Sequence, residues 1–82
     1  MNIRVKLIGR YKEVVGNETI DINLTSSNTV RDVIDYFAER YPAIRKDRNF
    51  ILVSRNGSYT SSKTKVTEGD EILMSPPLVG GG

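Results

Sequence analysis

The sequence predicts an α+β fold in which a mixed sheet of four to five strands packs on one main helix. Three observations support this prediction. Runs near both ends of the chain alternate apolar with polar residues, which is typical of half-buried strands. One central segment carries an apolar stripe with helical spacing, and the segments between these elements are polar or contain glycine. With 82 residues, of which 38% are hydrophobic, the chain has room for one domain around one core.

We predict a hairpin in the N-terminal part of the chain. Residues 3–7 alternate apolar with charged side chains, so the apolar ones should face the core. Gly9 interrupts this alternation, and Arg10–Val15 are expected to form a short connector. Gly16-Asn17 then supplies turn chemistry before a second alternating run at residues 19–24.

The main helix is predicted to begin near Thr29 and to end near Tyr41. Thr29 and Asp32 form a variant of the capping box, whose side chains satisfy N–H groups at the start of a helix. Apolar side chains then recur on one helical face, at Val30, Val33, Ile34, Phe37, Ala38 and Tyr41. Pro42 should stop the helix, because proline disfavours helical geometry in the residue before it.

Two further strands are predicted in the C-terminal half. Residues 50–53 are a compact β-favouring run that leads to Asn56-Gly57, a strong hairpin turn. Residues 58–68 are polar, and either a short edge strand near Tyr59 or a single helical turn fits them. Gly69-Asp70 then forms a turn into a last alternating run at residues 71–75.

The predicted order is strand, strand, helix, strand, loop, strand. A single amphipathic helix buries its stripe only by packing across one face of such a sheet. The arrangement is the β-grasp, or ubiquitin-like, architecture, with the first and last strands side by side at the centre of the sheet. We predict that residues 1–75 form this domain and that residues 76–82 form a flexible C-terminal tail.

The composition argues against an enzyme that acts alone. The chain has no cysteine and no histidine, so it lacks a thiol nucleophile, sulfur ligands for a metal and the usual general base. We therefore expect no catalytic residue, no metal ligand and no bound cofactor. The formal net charge is only +2 and the basic residues are spread along the chain, so nucleic-acid binding is not expected.

The sequence also contains no apolar span near the length of a membrane helix and no secretory leader. We expect a cytoplasmic protein that makes no membrane contact and is a monomer when free.

The C-terminal tail is the candidate functional segment. Pro76-Pro77 directly follow the last predicted strand, and proline has no N–H to donate, so strand pairing ends there. The last three residues are glycines, which have no Cβ and can enter a narrow channel in almost any backbone conformation. A carboxylate is a poor electrophile, so its use would require activation by a partner. Glycine-rich termini are also often inert, and that alternative stays open here.

The chain resembles the MoaD/ThiS family of ubiquitin-like sulfur carriers, which includes the small subunit of molybdopterin synthase, and the related archaeal ubiquitin-like modifiers. The segments that carry this resemblance are Thr29-Val30-Arg31-Asp32-Val33, Glu39-Arg40-Tyr41-Pro42, Asn56-Gly57, Gly69-Asp70-Glu71-Ile72 and Pro76-Pro77-Leu78-Val79-Gly80-Gly81-Gly82. Family members usually end in two glycines after a small residue, whereas this chain has a third glycine at position 80.

The resemblance implies a function. The final glycine, Gly82, would be adenylated by an activating enzyme and then become a thiocarboxylate or an isopeptide to a substrate lysine. The thiocarboxylate would donate sulfur for molybdopterin, thiamine or tRNA thiolation. The enzyme would recognise the tail through Gly81, Gly80, Val79, Leu78, Pro77 and Pro76.

The implied partners are an adenylating enzyme of the ubiquitin-activating type, which uses ATP, and either the large subunit of molybdopterin synthase or protein substrates with acceptor lysines. Strand alternation places Ile8 and Leu73 on the sheet face opposite the core, and these two residues, here called the docking patch, are a candidate partner-binding surface. Ser75 stands where many members carry a bulky apolar residue. The competing hypothesis is a non-covalent β-grasp module that binds protein or RNA and has an inert tail.

Overall fold

The computed structural model describes residues 1–25 and 28–77. Within them, three helices pack on a five-stranded sheet with the strand order β2-β1-β5-β3-β4. The elements are β1 (Asn2–Leu7), α1 (Arg10–Val15), β2 (Thr19–Asn23), α2 (Val30–Arg40), α3 (Pro42–Arg45), β3 (Leu52–Arg55), β4 (Ser58–Tyr59) and β5 (Glu71–Ser75).

The first and last strands, β1 and β5, lie side by side and run parallel, as predicted. Val5 pairs with Ile72 and Lys6 with Leu73 across them. On the other side of β5, strand β3 pairs antiparallel, with Val53 opposite Met74. Because β5 is flanked on both sides, its position in the sheet is fixed by two ladders.

The predicted hairpin is present as β1 and β2. The two strands are antiparallel and place Val5 opposite Ile20. The apolar side chains of β1 are fully buried, as alternation predicted, and the residues between them are exposed. The helices cover the buried side of the sheet, since each contributes a side chain to the core: Tyr11 from α1, Phe37 from α2 and Ile44 from α3. We call the opposite side of the sheet the outer face.

The main helix α2 begins at the predicted cap. The N–H of Thr29 donates to the Asp32 carboxylate over 2.8 Å, which satisfies a group that the helix itself leaves unpaired. Five residues of the predicted stripe, from Val30 to Ala38, are buried. The helix ends at Arg40, and Tyr41 is extended with φ of −129°, consistent with the restriction that Pro42 imposes on it.

Three parts of the fold differ from the sequence predictions. The expected connector Arg10–Val15 is a helix, α1, because the Tyr11 side chain is buried at 0% exposure in the core. Pro42 ends α2 but also starts α3, since proline is favoured in the first turn of a helix. Strand β3 runs over Leu52–Arg55 rather than 50–53, and Phe50 lies in a turn with 69% of its surface exposed.

The turn at Asn56-Gly57 is confirmed. Asn56 has φ of 50° and Gly57 has φ of 89°, the left-handed pair that a two-residue hairpin loop requires. The turn joins β3 to the two-residue edge strand β4, so the edge-strand alternative for the region near Tyr59 is the correct one. None of the helices in the described ranges has the length and apolar character that a membrane span requires.

Candidate functional site

The tail leaves the domain where β1 and β5 both end. Because the two strands are parallel, their C-terminal ends lie at the same edge of the sheet. Ile8 follows β1 there, and Pro76 and Pro77, here called the tail root, follow β5. The N–H of Ile8 donates to the Met74 carbonyl over 3.0 Å. This bond extends the pairing between the two strands up to the point where the tail begins.

The tail root ends the sheet as predicted. Ser75, the last residue of β5, pairs with Leu52 of β3, and the two prolines that follow are half-buried and lie outside the ladder. Proline contributes no N–H, so neither neighbouring strand can extend its pairing along the chain here. The chain therefore changes from a paired strand to the tail within one residue.

The remaining predicted tail residues lie outside the described part of the chain. They are Leu78, Val79, Gly80, Gly81 and Gly82. Their roles in recognition and activation, and the boundary between a domain ending at residue 75 and a flexible tail, stay predictions.

Gly9 lies directly beside the tail root. Its backbone has φ of 61° and ψ of −133°, and it forms the N-cap of α1. A Cβ placed on Gly9 would meet the Pro76 ring at 3.7 Å and 3.8 Å, at Cγ and Cδ. The sequence shows Gly9 only as a break in the strand pattern, because its proximity to Pro76 brings together residues far apart in the chain.

The outer face carries the docking patch near its centre. Leu73 pairs with Lys6 on one side and with Ser54 on the other, and Ser54 in turn pairs with Tyr59. Leu73 and Ile8 are both half-buried, while Ile72 and Met74 on the core side are fully buried. The structure thus places Leu73 on the face that alternation predicted, next to the strand end from which the tail leaves.

Charged groups of both signs lie at the far end of the outer face, away from the tail root. Arg4 forms an exposed ion pair with Asp21 at 3.1 Å, and both residues line an open cleft of about 520 Å³ at the far end of the outer face, together with Glu71. In the described ranges no group of three or more carboxylate, histidine or cysteine side chains is arranged to hold a metal ion. The cleft includes Glu71 at the start of β5, so it lies at the opposite end of this strand from the tail root.

A buried carboxylate fixes the start of β5. Asp70 is 5% exposed and accepts hydrogen bonds from Arg55 Nε at 2.7 Å, the Thr67 N–H at 2.8 Å and Asn56 Nδ2 at 3.0 Å. Burial acts to raise the pKa of Asp70, but these donors outweigh it and lower the pKa to about 2. The sequence indicated only a turn at Gly69-Asp70, because Arg55 and Asn56 lie 15 and 14 positions before Asp70 in the chain.

A second buried polar contact holds α1. The Tyr11 hydroxyl donates to the Asp47 carboxylate over 2.7 Å, and Arg10 pairs with the same carboxylate at 2.8 Å. Burial, with a further contribution from Asp47, raises the pKa of the Tyr11 phenol, so the hydroxyl keeps its proton and acts as a donor. The helix beside the tail root is thereby tied to the loop after α3.

Comparisons with known proteins support the resemblance found in the sequence. The ThiS family model matches residues 5–82. The small archaeal modifier protein 1 of Haloferax volcanii is 31% identical over 85 residues, covering 93% of this chain and 97% of that protein. The molybdopterin synthase sulfur carrier subunit of Arabidopsis thaliana is 26% identical over 81 residues, covering 99% of this chain and 84% of that protein.

Solved structures agree with the fold. The crystal structure of the Haloferax volcanii modifier matches with a TM-score of 0.79 and 27% identity, covering 98% of this chain and 99% of that one. Subunit 1 of the molybdopterin-converting factor of Helicobacter pylori, solved as a complex with subunit 2, matches with a TM-score of 0.65 and 17% identity, covering 98% and 99%. The β-grasp prediction is confirmed, and the named relatives are carriers and modifiers rather than enzymes.

Proposed function

The chain belongs to the ThiS family, and from this premise we propose that it is a ubiquitin-like carrier whose C-terminal carboxylate, at Gly82, is activated by a separate enzyme. One observation carries the proposal: the family match extends through residue 82, so it includes the three terminal glycines as well as the β-grasp body. The tail root supports it, because two prolines direct the chain out of the sheet immediately after β5.

The proposed chemistry has two steps. An oxygen of the Gly82 carboxylate attacks the α-phosphate of ATP, and pyrophosphate leaves, which produces an acyl-adenylate. A nucleophile then attacks the carbonyl carbon and AMP leaves. Sulfide (HS⁻) gives a thiocarboxylic acid that loses its proton to become the thiocarboxylate, and the Nζ of a substrate lysine gives an isopeptide bond with release of a proton. Both fates use the same adenylate, so the first step tests the carrier function whichever fate follows.

In this proposal the chain presents its C-terminal carboxylate to the activating enzyme and contributes no catalytic group. It contains no cysteine or histidine, so the groups that bind ATP and move protons belong to the activating enzyme in this proposal. Gly80 and Gly81 carry no Cβ and would let the terminus enter a narrow active-site channel, while Val79 and Leu78 supply side chains for recognition. We propose that the chain acts in the cytoplasm, where ATP is available to the activating enzyme.

The docking patch is the proposed contact with partners. Leu73 is half-buried on the outer face, which the helices leave open, and Ile8 lies at the adjoining strand end. An apolar centre with polar residues around it is the arrangement typical of a protein interface. The partners we propose are the activating enzyme and then either a large subunit of the molybdopterin synthase type or lysine-bearing proteins.

The experiment is an exchange assay with the cognate activating enzyme. Adenylation is reversible, so the enzyme transfers labelled pyrophosphate into ATP only while a carrier carboxylate is available. We expect exchange with the complete chain and a loss of roughly 100-fold or more, about 2.7 kcal/mol, after deletion of Gly81-Gly82. A synthetic chain that ends in a Gly82 carboxamide is the matched control, since it differs only in the reacting group.

Two outcomes test whether the Gly82 carboxylate is the reacting group, and a complete chain that gives no exchange would favour the binding module. Loss of exchange with both altered chains, while each still binds the enzyme, supports the carrier. Equal exchange with the complete chain and the carboxamide would mean that Gly82 is not the group that reacts.

A further inference from the structure

The outer face is built from rows of side chains that run across the strands. Alternation directs residues 4 and 6 of β1 and residues 71, 73 and 75 of β5 outward, since the residues between them are buried. The strand registers place these side chains next to one another. Consecutive rows are roughly 6.6 Å apart, because two residues along a strand separate them. Each row has its own chemical character.

The row farthest from the tail root is acidic. Arg4 lies opposite Asp21 of β2 on one side and opposite Glu71 of β5 on the other. These three residues and Glu68 line the open cleft, so the cleft contains one guanidinium and three carboxylates. The Glu68 carboxylate is held at its rim, where it accepts from the Asn2 N–H over 2.9 Å. This acidic row therefore borders a recess that a long cationic side chain of a partner can enter.

The middle row carries a positive charge. Lys6 lies opposite Thr19 of β2 and opposite Leu73 of β5, and it is exposed. No ion pair of the described residues includes Lys6, whereas Lys12 of α1 pairs with Glu18 at 3.5 Å. In this lysine row, the described part of the chain leaves the Lys6 ammonium uncompensated beside the docking patch.

The row next to the tail root has no charge. Ser75 lies opposite Leu52 of β3. Leu52 points outward because the residue after it, Val53, is buried in the core, and Leu52 is half-buried. On the other side of Ser75, Ile8 continues β1, and its N–H donates to the Met74 carbonyl over 3.0 Å. In this uncharged row two apolar side chains therefore flank a small serine where the tail begins.

We infer that the activating enzyme docks on the outer face in one orientation, with a basic group over the acidic row, a carboxylate over Lys6 and apolar side chains over Leu73 and the uncharged row. The inference rests on the proposed function for the identity of this partner. If the enzyme were turned end for end, its basic group would lose water against apolar side chains, and its apolar groups would cover carboxylates. Both are unfavourable, so the order of the rows determines which end of the docked partner lies at the tail root.

A second copy of this chain does not provide the complementary pattern. Placed face to face with its strands parallel, it would lay one acidic row on the other, and like charges repel. Placed with its strands antiparallel, it would lay the acidic row on the uncharged row, where the carboxylates would lose water without a cation beside them. Neither arrangement pairs opposite charges, so the face fits a different protein.

The test exchanges two charges of the outer face. Lys6→Glu combined with Glu71→Lys keeps the net charge of the chain but reverses the order of the acidic and lysine rows, and this double variant is called the swapped chain. Lys46→Glu combined with Glu39→Lys is the matched control, since both residues are exposed and belong to the helical side, at the C-cap of α3 and in α2. Calorimetric titration into the cognate activating enzyme without ATP measures docking in the absence of the reaction.

We expect the swapped chain to have a Kd about tenfold higher than that of the parent at about 0.1 M salt. The difference should shrink at about 1 M salt, where charges are screened within roughly 3 Å. The control should bind like the parent. Equal binding by the parent and the swapped chain, an equal loss in the control, or no binding by the parent would overturn the inference. A dimer of the parent that dissociates when the charges are swapped would also overturn it, by assigning the face to a second copy.

Folding is checked by the dispersion of amide signals before any titration. If the swapped chain does not fold, Lys6→Gln is compared with Lys46→Gln, and the inference requires weaker binding, by roughly threefold, for Lys6→Gln alone. A parent that binds the enzyme but gives no pyrophosphate exchange would count against the proposed function. The comparison of the parent with the swapped chain judges the order of the rows independently of that assay.

Discussion

Asp70 shows how a single buried carboxylate determines where a strand begins. Its donors come from Arg55 at the end of β3, Asn56 in the hairpin turn and Thr67 in the preceding loop. A carboxylate with this exposure is stable only when its lone pairs are satisfied. Its position fixes the turn from which β5 leads to the tail root.

We predict that Asp70→Asn lowers the free energy of unfolding by about 2 kcal/mol at pH 7. The folded-state pKa of about 2 is below the unfolded value of roughly 3.9. The stabilisation is therefore present above pH 4 and is lost as the pH falls toward 2, so the difference between the two proteins should narrow there. Urea denaturation across this pH range measures the free energy of unfolding of both proteins. A difference between them that stays the same from pH 7 to pH 2 would contradict the prediction.

Asp21→Asn is the matched control for that experiment. Asp21 pairs with Arg4, and about two-thirds of each side chain is exposed. An exposed ion pair contributes little to the free energy of unfolding. We therefore expect Asp21→Asn to change that free energy by no more than about 0.5 kcal/mol. A loss comparable with that of Asp70→Asn would mean that the general charge balance, rather than the buried network, produces the effect.

At the scale of elements, α1 depends on tertiary contacts. Six residues are too few for a helix to be stable by itself in water, so the buried Tyr11 ring and its bond to Asp47 hold the helix in place. We predict that Tyr11→Phe lowers the free energy of unfolding by about 1 kcal/mol, because Asp47 loses a donor. Thermal denaturation measures this. Tyr59→Phe is the control, because Tyr59 is 79% exposed and its substitution should change the free energy of unfolding little. Equal losses of stability from Tyr11→Phe and Tyr59→Phe would contradict the account.

The docking patch gives a second prediction at this scale. Leu73→Ala removes the apolar side chain at the centre of the outer face, and we expect the KM for adenylation of the carrier to rise about tenfold, or 1.4 kcal/mol. Val14→Ala is the control, since Val14 is an exposed apolar residue of α1. Unchanged kinetics for a folded Leu73→Ala protein would mean that the activating enzyme binds elsewhere.

The sequence predicted the elements in which the spacing of apolar residues is sustained over most of the element. β1, β2, β5 and α2 each carry a sustained period, and each was placed within one or two residues. α1 offers only Tyr11, Val14 and Val15 at helical spacing, fewer than two turns, and its helix depends on a contact with Asp47 far along the chain. The limits of β3 were displaced because the apolar run at 50–53 does not distinguish the exposed Phe50 from the buried Val53.

The candidate site was predictable only where local sequence signals define it. Pro76-Pro77 and the terminal glycines are local signals, as is the alternation that places Leu73 on the outer face. Thr67 lies only three residues before Asp70, but the proximity of Gly9 to Pro76 and the bonds from Arg55 and Asn56 to Asp70 join residues that are distant in sequence. No local pattern contains them.

At the scale of the whole molecule, the described residues form a rigid support that ends where the tail begins. The parallel pair β1 and β5 is central in the sheet, so the strand that leads to the tail is among the best held parts of the fold. A carrier that is handled by several partners needs such a body, because each partner then meets the tail root in the same place.

Mass spectrometry of the C-terminal peptide tests the central claim most directly. The complete chain is incubated with ATP, a sulfide source and the cognate activating enzyme, and the chain recovered from its native host is examined in parallel, with the Gly82 carboxamide as the control. We predict either the mass change for replacement of one Gly82 oxygen by sulfur, or Gly82 joined to lysines of other host proteins. An unmodified terminus in both samples, with an enzyme that activates another carrier, would contradict the account.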